Sequence, residues 1–220
     1  MRILIVDDHA ILRRGIQEIL EDEGVASQTG EAGDGQQTLQ LLRSQSWDLV
    51  LLDINLPGRG GVEILAQIRR EFPKLPVLIV SAHSEEQYAL RMIRSGAQGY
   101  LTKESAPDEL VNAVRTIAAG RRYFSPLVTE LLADQLNQPQ ASDQTPLHKL
   151  LTNKEFEVFI ALAGGTRIHE IADSTNRSPK TISSYRSRIL KKMHARSNAD
   201  LTVYATTYSL LERNRESAPR

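Results

Sequence analysis

The sequence predicts two structural classes in series. An α/β domain on a five-stranded, doubly wound parallel sheet comes first. A small all-α domain of four helices, with a helix-turn-helix at its centre, follows. Three observations predict this. Short apolar runs alternate with helical patterns over the first 120 residues. Those runs are apolar throughout, as strands covered on both faces are. A polar stretch with two prolines, "NQPQASDQTP" (137–146), then intervenes, and from Leu151 the apolar spacing is helical.

"RILIV" (2–6) is a short strand, and the helix after it places Ile11, Leu12, Ile16, Ile19 and Leu20 on one face. "ASQTGEA" (26–32) reads as a weaker strand, followed by a helix over "GQQTLQLLRSQ" (35–45). "DLVLL" (48–52) and "LPVLIV" (75–80) are strong strands, separated by a helix over 61–72. The helix over 85–95 turns Tyr88, Met92 and Ile93 inward, and "AQGYLT" (97–102) is the last strand. A helix over 107–119 starts at Pro107, an accepted first-turn position, and buries Leu110, Val111, Val114 and Ile117. "SPLVTELLADQL" (125–136) forms one more helix. The linker after it spans about 20 Å as a random coil. Helices over 153–163, 168–174, 179–193 and 198–211 follow, with "GGT" and "NRSP" supplying turns. The expected divisions are 1–122, a linker helix and flexible linker over 123–147, a second domain over 148–212, and a disordered tail over 213–220.

Composition narrows the function. The chain has 220 residues, 40% of them hydrophobic, and no run approaches the roughly 18 apolar residues of a membrane span. The start, "MRILIVDDHA", meets acids after four apolar residues and is no signal peptide, so a cytoplasmic location is expected. Cysteine is absent, which excludes disulfides and thiolate metal sites. The net charge of zero hides an asymmetry. Residues 1–125 carry 14 bases against 17 acids, residues 126–150 carry 1 against 3, and residues 151–220 carry 12 against 7, so the balance runs −3, −2, +5. Between Asp173 and Asp200 there are seven bases and no acid. A basic end on a neutral chain points to a local polyanion site.

In an open α/β sheet, ligands bind beyond the carboxyl ends of the strands. Those ends carry Asp7 and Asp8, Asp53, Ser81, and Thr102 with Lys103. Carboxylates sharing a pocket repel one another, and a bound cation relieves this. All-oxygen ligation suits Mg2+, which shares its ligands with phosphates. A carboxylate is also a competent nucleophile toward phosphorus. Lys103 would neutralise phosphoryl oxygens and Ser81 would donate a hydrogen bond. The chemistry assembled is phosphoryl transfer onto an aspartate. Taken singly, each residue also has a plainer reading: Asp7 or Asp8 as a helix cap, Lys103 as a solvated charge.

"ILIVDDH", "DLVLLDINLPGRGGVE", "VLIVSAHSE" and "GAQGYLTK" together resemble the receiver domain of two-component response regulators, a flavodoxin-like fold, over about residues 1–120. The resemblance implies that Asp53 is the phospho-acceptor. It implies that Asp7 and Asp8 are the acid pair for Mg2+, with Asp8 the direct ligand, and that the Asn55 backbone carbonyl is a further ligand. Ser81 corresponds to the switch hydroxyl, Lys103 to the lysine of the site, Pro57 and Gly58 to the turn after the phosphorylation loop, and Tyr100 to a switch aromatic. Tyr100 also fits a half-buried strand aromatic that never switches. Asn55 and His83, each two residues beyond a site residue, are expected to face the pocket and set the access of attacking water. His83 also fits a solvated loop histidine.

In "PKTISSYRSRILKKM" (179–193), Ile182, Tyr185, Ile189 and Met193 share one face, while Lys180, Ser183, Ser184, Ser187 and Lys191 lie away from it. Two short helices joined by a tight turn, the second basic, suit a helix-turn-helix, although a plain basic amphipathic helix shares the pattern. "LTNKEFEVFIALAGGTRIHEIA" followed by "SPKTISSYRSRILKKM" resembles the LuxR-type, or NarL/FixJ-type, DNA-binding domain over about 148–212. Asn153 departs from that pattern, where proline is common, as does the polar "DSTNRS". The resemblance places Ser183, Ser184 and Ser187 at base-reading positions and Thr181 within the same motif. Serine discriminates weakly, so specificity leans on Lys180, Arg186 and Arg188, on DNA shape, or on paired half-sites. Arg177, Lys191, Lys192 and Arg196 read as phosphate contacts.

The expected function is a phosphorylation-dependent transcriptional regulator of the NarL/FixJ type. The expected partners are a sensor histidine kinase, double-stranded promoter DNA, a second copy when phosphorylated, and RNA polymerase as a further candidate. Slow autodephosphorylation rather than turnover is expected. Leu201, Tyr204, Ala205 and Tyr208 share one face of the last helix and suit either pairing or core. Two other readings keep part of the pattern. An aspartate-nucleophile phosphohydrolase would place its nucleophile after the first strand in an Asp-x-Asp pattern, unlike Asp53. A phosphorylation-independent regulator would not need the full acid–Ser–Lys set.

Overall fold

The computed structural model describes residues 1–57, 60–137, 146–175, 177–208 and 210–211. The chain forms two compact units, Met1–Pro139 and Gln140–Arg220. The first unit runs β1 (Arg2–Val6), α1 (Ala10–Asp22), β2 (Gln28–Ala32), α2 (Gly35–Ser44), β3 (Leu49–Leu52), α3 (Gly61–Glu71), β4 (Val77–Ser81), α4 (Glu85–Arg94), β5 (Gly99–Thr102), α5 (Ala106–Ala118) and α6 (Pro126–Asn137). All neighbouring strands are parallel, in the order β2-β1-β3-β4-β5. The order reverses between β1 and β3, and the crevice beyond such a switch point is where doubly wound sheets place their ligands.

Continuous apolar strands follow from burial on both faces. Every residue of β3 and β4 is buried. Ile3, Ile5, Leu49, Leu51, Leu78 and Val80 pack on one side of the sheet with α1 and α5. The alternate residues, such as Leu4, Val50, Leu52 and Ile79, are equally buried. Each such side chain contributes about 1.5–3 kcal/mol of transfer free energy. That rigid sheet fixes the strand ends.

Three expectations about this unit change. Ile11 is 91% exposed, because α1 begins at Ala10 and its first turn looks to solvent before the inward stripe of Ile16 and Leu20 begins. Val111 is only half-buried, while Ala113 takes the place in the core. The boundary at 122 moves, because residues 123–137 belong to the first unit. Tyr123 N–H donates to the Gln98 carbonyl at 2.9 Å, beside the start of β5. Gly99 is needed there, since a Cβ would press on Leu78 and the Tyr123 carbonyl. Ser125 then caps α6, its Oγ accepting from Val128 N–H at 3.2 Å and donating to the Glu85 carboxylate. Val128 is fully buried, and α6 packs on α4. The expected flexible linker falls mainly on 138–145, and the tail on 213–220; both, like Gly58, lie outside the described residues.

The second unit contains a 3-10 turn (Leu147–Leu150), α7 (Asn153–Ala163), α8 (Ile168–Ser174), α9 (Pro179–Lys192) and α10 (Asn198–Thr207). The 3-10 turn was not foreseen, and α10 ends at Thr207 rather than at 211. Phe156, Phe159, Ile171, Ile182, Ile189, Leu201 and Ala205 are buried and make the core. Leu201 and Ala205 are therefore core residues rather than a free pairing face. Val203, at 67% exposure on α10, and Tyr208, at 47% just beyond its end, are large apolar side chains left to solvent here.

Candidate functional site

Strand register builds the acid pocket of the first unit. Val6 lies beside Leu52, so the residues that follow, Asp7 and Asp53, emerge side by side. Ser81 lies beside Thr102, and Lys103 N–H donates to the Ser81 carbonyl at 2.7 Å. Asp7, Asp53 and Ser81 are buried, while Asp8 is partly exposed and Asn55 exposed. Gly61 lets α3 start directly behind Asp53, because a Cβ there would run into the Asp53 carbonyl.

Lys103 Nζ reaches both buried acids, 2.6 Å from Asp7 Oδ2 and 2.8 Å from Asp53 Oδ2. Asn55 N–H donates to Asp53 Oδ1 at 3.1 Å. Burial pushes the Asp53 carboxyl above the ordinary carboxylate range, against the pull of Lys103 and the Asn55 N–H. Burial also disfavours the Lys103 ammonium, but its hydrogen bonds to Asp53 and Asp7 outweigh that and hold its pKa above the usual lysine value. A further cation would favour ionised Asp53.

His9 is a residue that sequence reasoning passed over. Its Nδ1 lies 2.7 Å from Asp8 Oδ1 and 3.1 Å from Asp7 Oδ1, and its N–H donates to Asp7 Oδ1 at 2.7 Å. One ligand atom each from Asp7, Asp8, His9 and Asp53 fall within 4.8 Å of one another. A donor set dominated by carboxylate oxygen, partly open through Asp8, fits a hard divalent cation that keeps waters.

Around this cluster the loops after β3 and β4 meet. His83 Nε2 lies 3.1 Å from Asn55 Oδ1, the His83 ring stacks on Tyr88 at 4.4 Å, and His83 N–H donates to Ser81 Oγ at 3.2 Å. Tyr100 is fully buried, and its hydroxyl donates to the His83 carbonyl at 2.8 Å. The half-buried reading of Tyr100 is thus replaced by a fully buried ring tied to the β4–α4 loop.

In the second unit, the exposed face of α9 carries Lys180, Ser183, Ser184, Ser187, Arg188 and Lys191. Ser178 caps the helix, accepting from Thr181 N–H at 3.1 Å, so Thr181 serves the helix start. Ser184 Oγ donates to the Lys180 carbonyl at 3.0 Å and Ser187 Oγ to the Ser183 carbonyl at 3.1 Å. Both hydroxyls therefore present mainly acceptor lone pairs outward. Arg196 is exposed beyond the helix end.

Two basic residues stand apart from that face. Arg186 is half-buried and donates Nε to Asn198 Oδ1 at 2.7 Å, tying α9 to α10. Lys192 points at the domain core, where Nζ donates to Glu155 Oε2 at 2.6 Å. Glu155 is buried, and its carboxylate also accepts from Thr152 N–H at 2.9 Å, closing a capping box on α7. Burial works against the Glu155 carboxylate, but the bonds from Lys192 and Thr152 win and hold its pKa below the usual range. The signal for this pair was the acid three residues after Thr152; its partner, 37 residues on, was not readable from spacing.

Comparisons with known proteins agree with this geometry. Residues 3–115 match the response regulator receiver domain, and residues 149–205 match the bacterial regulatory proteins of the luxR family. The chain is 33% identical over 212 residues to the response regulator GacA of Pseudomonas viridiflava, covering 96% of this chain and 98% of that one. It is 32% identical over 210 residues to the response regulator UvrY of Escherichia coli, covering 96% and 95%. Among solved structures, RcsB from Salmonella enterica serovar Typhimurium bound to promoter rprA with phosphomimetic BeF3- superposes with a TM-score of 0.65 at 26% identity, covering 94% and 99%. Receiver domains of this kind bind Mg2+ at an acidic pocket, and the family consists of transcription regulators rather than turnover enzymes. Among the described residues, no helix is long and apolar enough to cross a membrane. The chain belongs to the response regulators of the NarL/FixJ type, which join a receiver domain to a LuxR-type DNA-binding domain.

Proposed function

We propose that Asp53 accepts a phosphoryl group from the phosphohistidine of a sensor histidine kinase, and that this controls promoter binding through α9. The observation that carries the reading is the Asp53–Lys103–Asp7 cluster at the switch point of the sheet. An Asp53 carboxylate oxygen forms the new P–O bond while the P–N bond to the kinase histidine breaks, and the imidazole leaves with the electron pair. Asp8, Asp53 and the Asn55 backbone carbonyl, with Asp7 beside them, would hold Mg2+, which would supply charge neutralisation for the phosphoryl oxygens. Lys103 shifts from two carboxylates toward the new phosphoryl oxygens, and Ser81 donates its hydroxyl to them. Movement of Ser81 carries the loop whose His83 carbonyl holds Tyr100, so the aromatic and α4 respond together. Slow hydrolysis of the acyl phosphate resets the switch.

On the DNA side, Lys180, Arg188 and Lys191 meet phosphates or base edges, and Ser183, Ser184 and Ser187 accept from base amino groups. Thr181 supports the helix start, and Arg186 acts through Asn198. A cytoplasmic protein, a second copy paired through the α10 side that carries exposed Val203, and RNA polymerase complete the reading. Incubation with a small acyl phosphate and Mg2+, followed by mass spectrometry, tests it. One phosphoryl group per chain, on Asp53 and absent from Asp53→Asn, supports it. Rapid release of phosphate over many turnovers, with no phosphorylated Asp53 accumulating, would overturn it in favour of an enzyme.

A further inference from the structure

Helix α9 carries one ring that neither its core nor its exposed face accounts for. Tyr185 follows the line of Ile182 and Ile189, which are buried, yet it stays half-buried at the side of the helix. Arg177, in the turn before α9, places its guanidinium carbon 5.7 Å from the Tyr185 ring centre and donates Nη1 to the Tyr185 hydroxyl at 3.2 Å. Arg188, on the exposed face of α9, places its guanidinium carbon 5.5 Å from the same centre. Both lie within the roughly 6 Å over which a ring attracts a cation. One phenol therefore gathers two guanidinium groups from two different elements. Gathering like charges raises their mutual repulsion, which an opposing polyanion relieves. Long arginine side chains also lose rotamer freedom when they bind, and a ring that holds them in advance reduces that loss.

We propose that Tyr185 is a positioning residue for DNA, whose ring pre-orients Arg177 and Arg188 as a paired phosphate clamp beside the serine face of α9. The proposal rests on α9 being the DNA-contacting helix. It assigns affinity to the clamp and leaves sequence preference to Lys180 and the serines of the exposed face.

The experiment measures binding of the full-length protein to a labelled random-sequence DNA duplex over a range of salt. Arg188→Ala is expected to flatten the slope of log K against log salt by about 0.9, the value for one phosphate contact. Tyr185→Leu and Tyr185→Met, with helical content checked by circular dichroism, are expected to flatten it by about 0.9 to 1.8 and to weaken binding about three- to tenfold. Tyr185→Phe keeps the ring face and is expected to keep the wild-type slope. Adding Arg188→Ala to Tyr185→Leu should cost little more than Tyr185→Leu alone. Folded Leu and Met variants with a wild-type slope, or losses that simply add, would overturn the clamp while leaving α9 as the reading helix. A wild-type slope in Arg188→Ala would remove this face of α9 from the DNA surface and the clamp with it.

Discussion

His83 and Asn55 join the loop after β4 to the loop after β3, with Nε2 3.1 Å from Oδ1. Each residue stands two positions beyond a group of the proposed phosphorylation site, and the contact makes them one unit rather than two independent neighbours. If that unit screens phospho-Asp53 from water, breaking it shortens the lifetime. Asn55→Ala and His83→Ala are each expected to shorten the half-life by about two- to tenfold, the range of one hydrogen bond. The double variant should match the singles, because the same contact is lost once. Half-lives followed by loss of the phosphorylated mass would settle it, and two unchanged values would end the idea.

Lys192 holds a carboxylate, not a phosphate. Its truncation leaves buried Glu155 without its cation. Because the Lys192 side chain is 38% exposed, water screens part of the loss, and Lys192→Ala should destabilise the second unit by about 1–2 kcal/mol. Thermal denaturation would show this, whereas the salt slope of DNA binding should stay at its wild-type value. The same pair sets an acid limit. The Glu155 pKa is depressed in the folded state, so its contribution is full above the unfolded glutamate value and is lost as pH falls through the lower folded value. In Lys192→Ala that acid-dependent loss should shrink.

Glu85 works in the opposite sense. Burial pushes its carboxyl above the ordinary range, despite the hydrogen bond from Ser125, with Glu109 and Glu86 adding to the rise. A raised acid favours its protonated form in the fold, so its ionisation costs stability at neutral pH, and that cost disappears as pH falls through the folded value toward the unfolded one. Glu85→Gln keeps an oxygen for Ser125 and removes the charge. It should stabilise the first unit by roughly 1 kcal/mol at neutral pH, with the gain vanishing in acid. Melting temperatures of both proteins across that range would check the sign; a constant difference would contradict it.

Much of this was legible in the chain because burial leaves a plain mark. The runs Ile3–Val6, Leu49–Leu52 and Val77–Val80 are apolar because both faces of the sheet are covered, and their polar successors mark the pocket. The face of α9 was legible for the same reason, since Ile182 and Ile189 fix its inside. What was not legible depends on long-range partners. Nothing local distinguishes Lys192, which faces Glu155, from Lys191, which faces solvent. Nothing near Glu85 announces Ser125, 40 residues on, so a helix assigned to the linker belongs with α4. Ile11 has the apolar character of a core residue, but the start of α1 at Ala10 leaves it outside.

In the proposed function, the phosphorylation state of Asp53 governs what α9 does. The most direct measurement is the DNA affinity of the full chain before and after treatment with a small acyl phosphate and Mg2+, in wild type and in Asp53→Asn. Wild type is expected to gain affinity on treatment while Asp53→Asn does not respond. An equal response of both proteins, or none in a wild type shown to be fully phosphorylated, would contradict it.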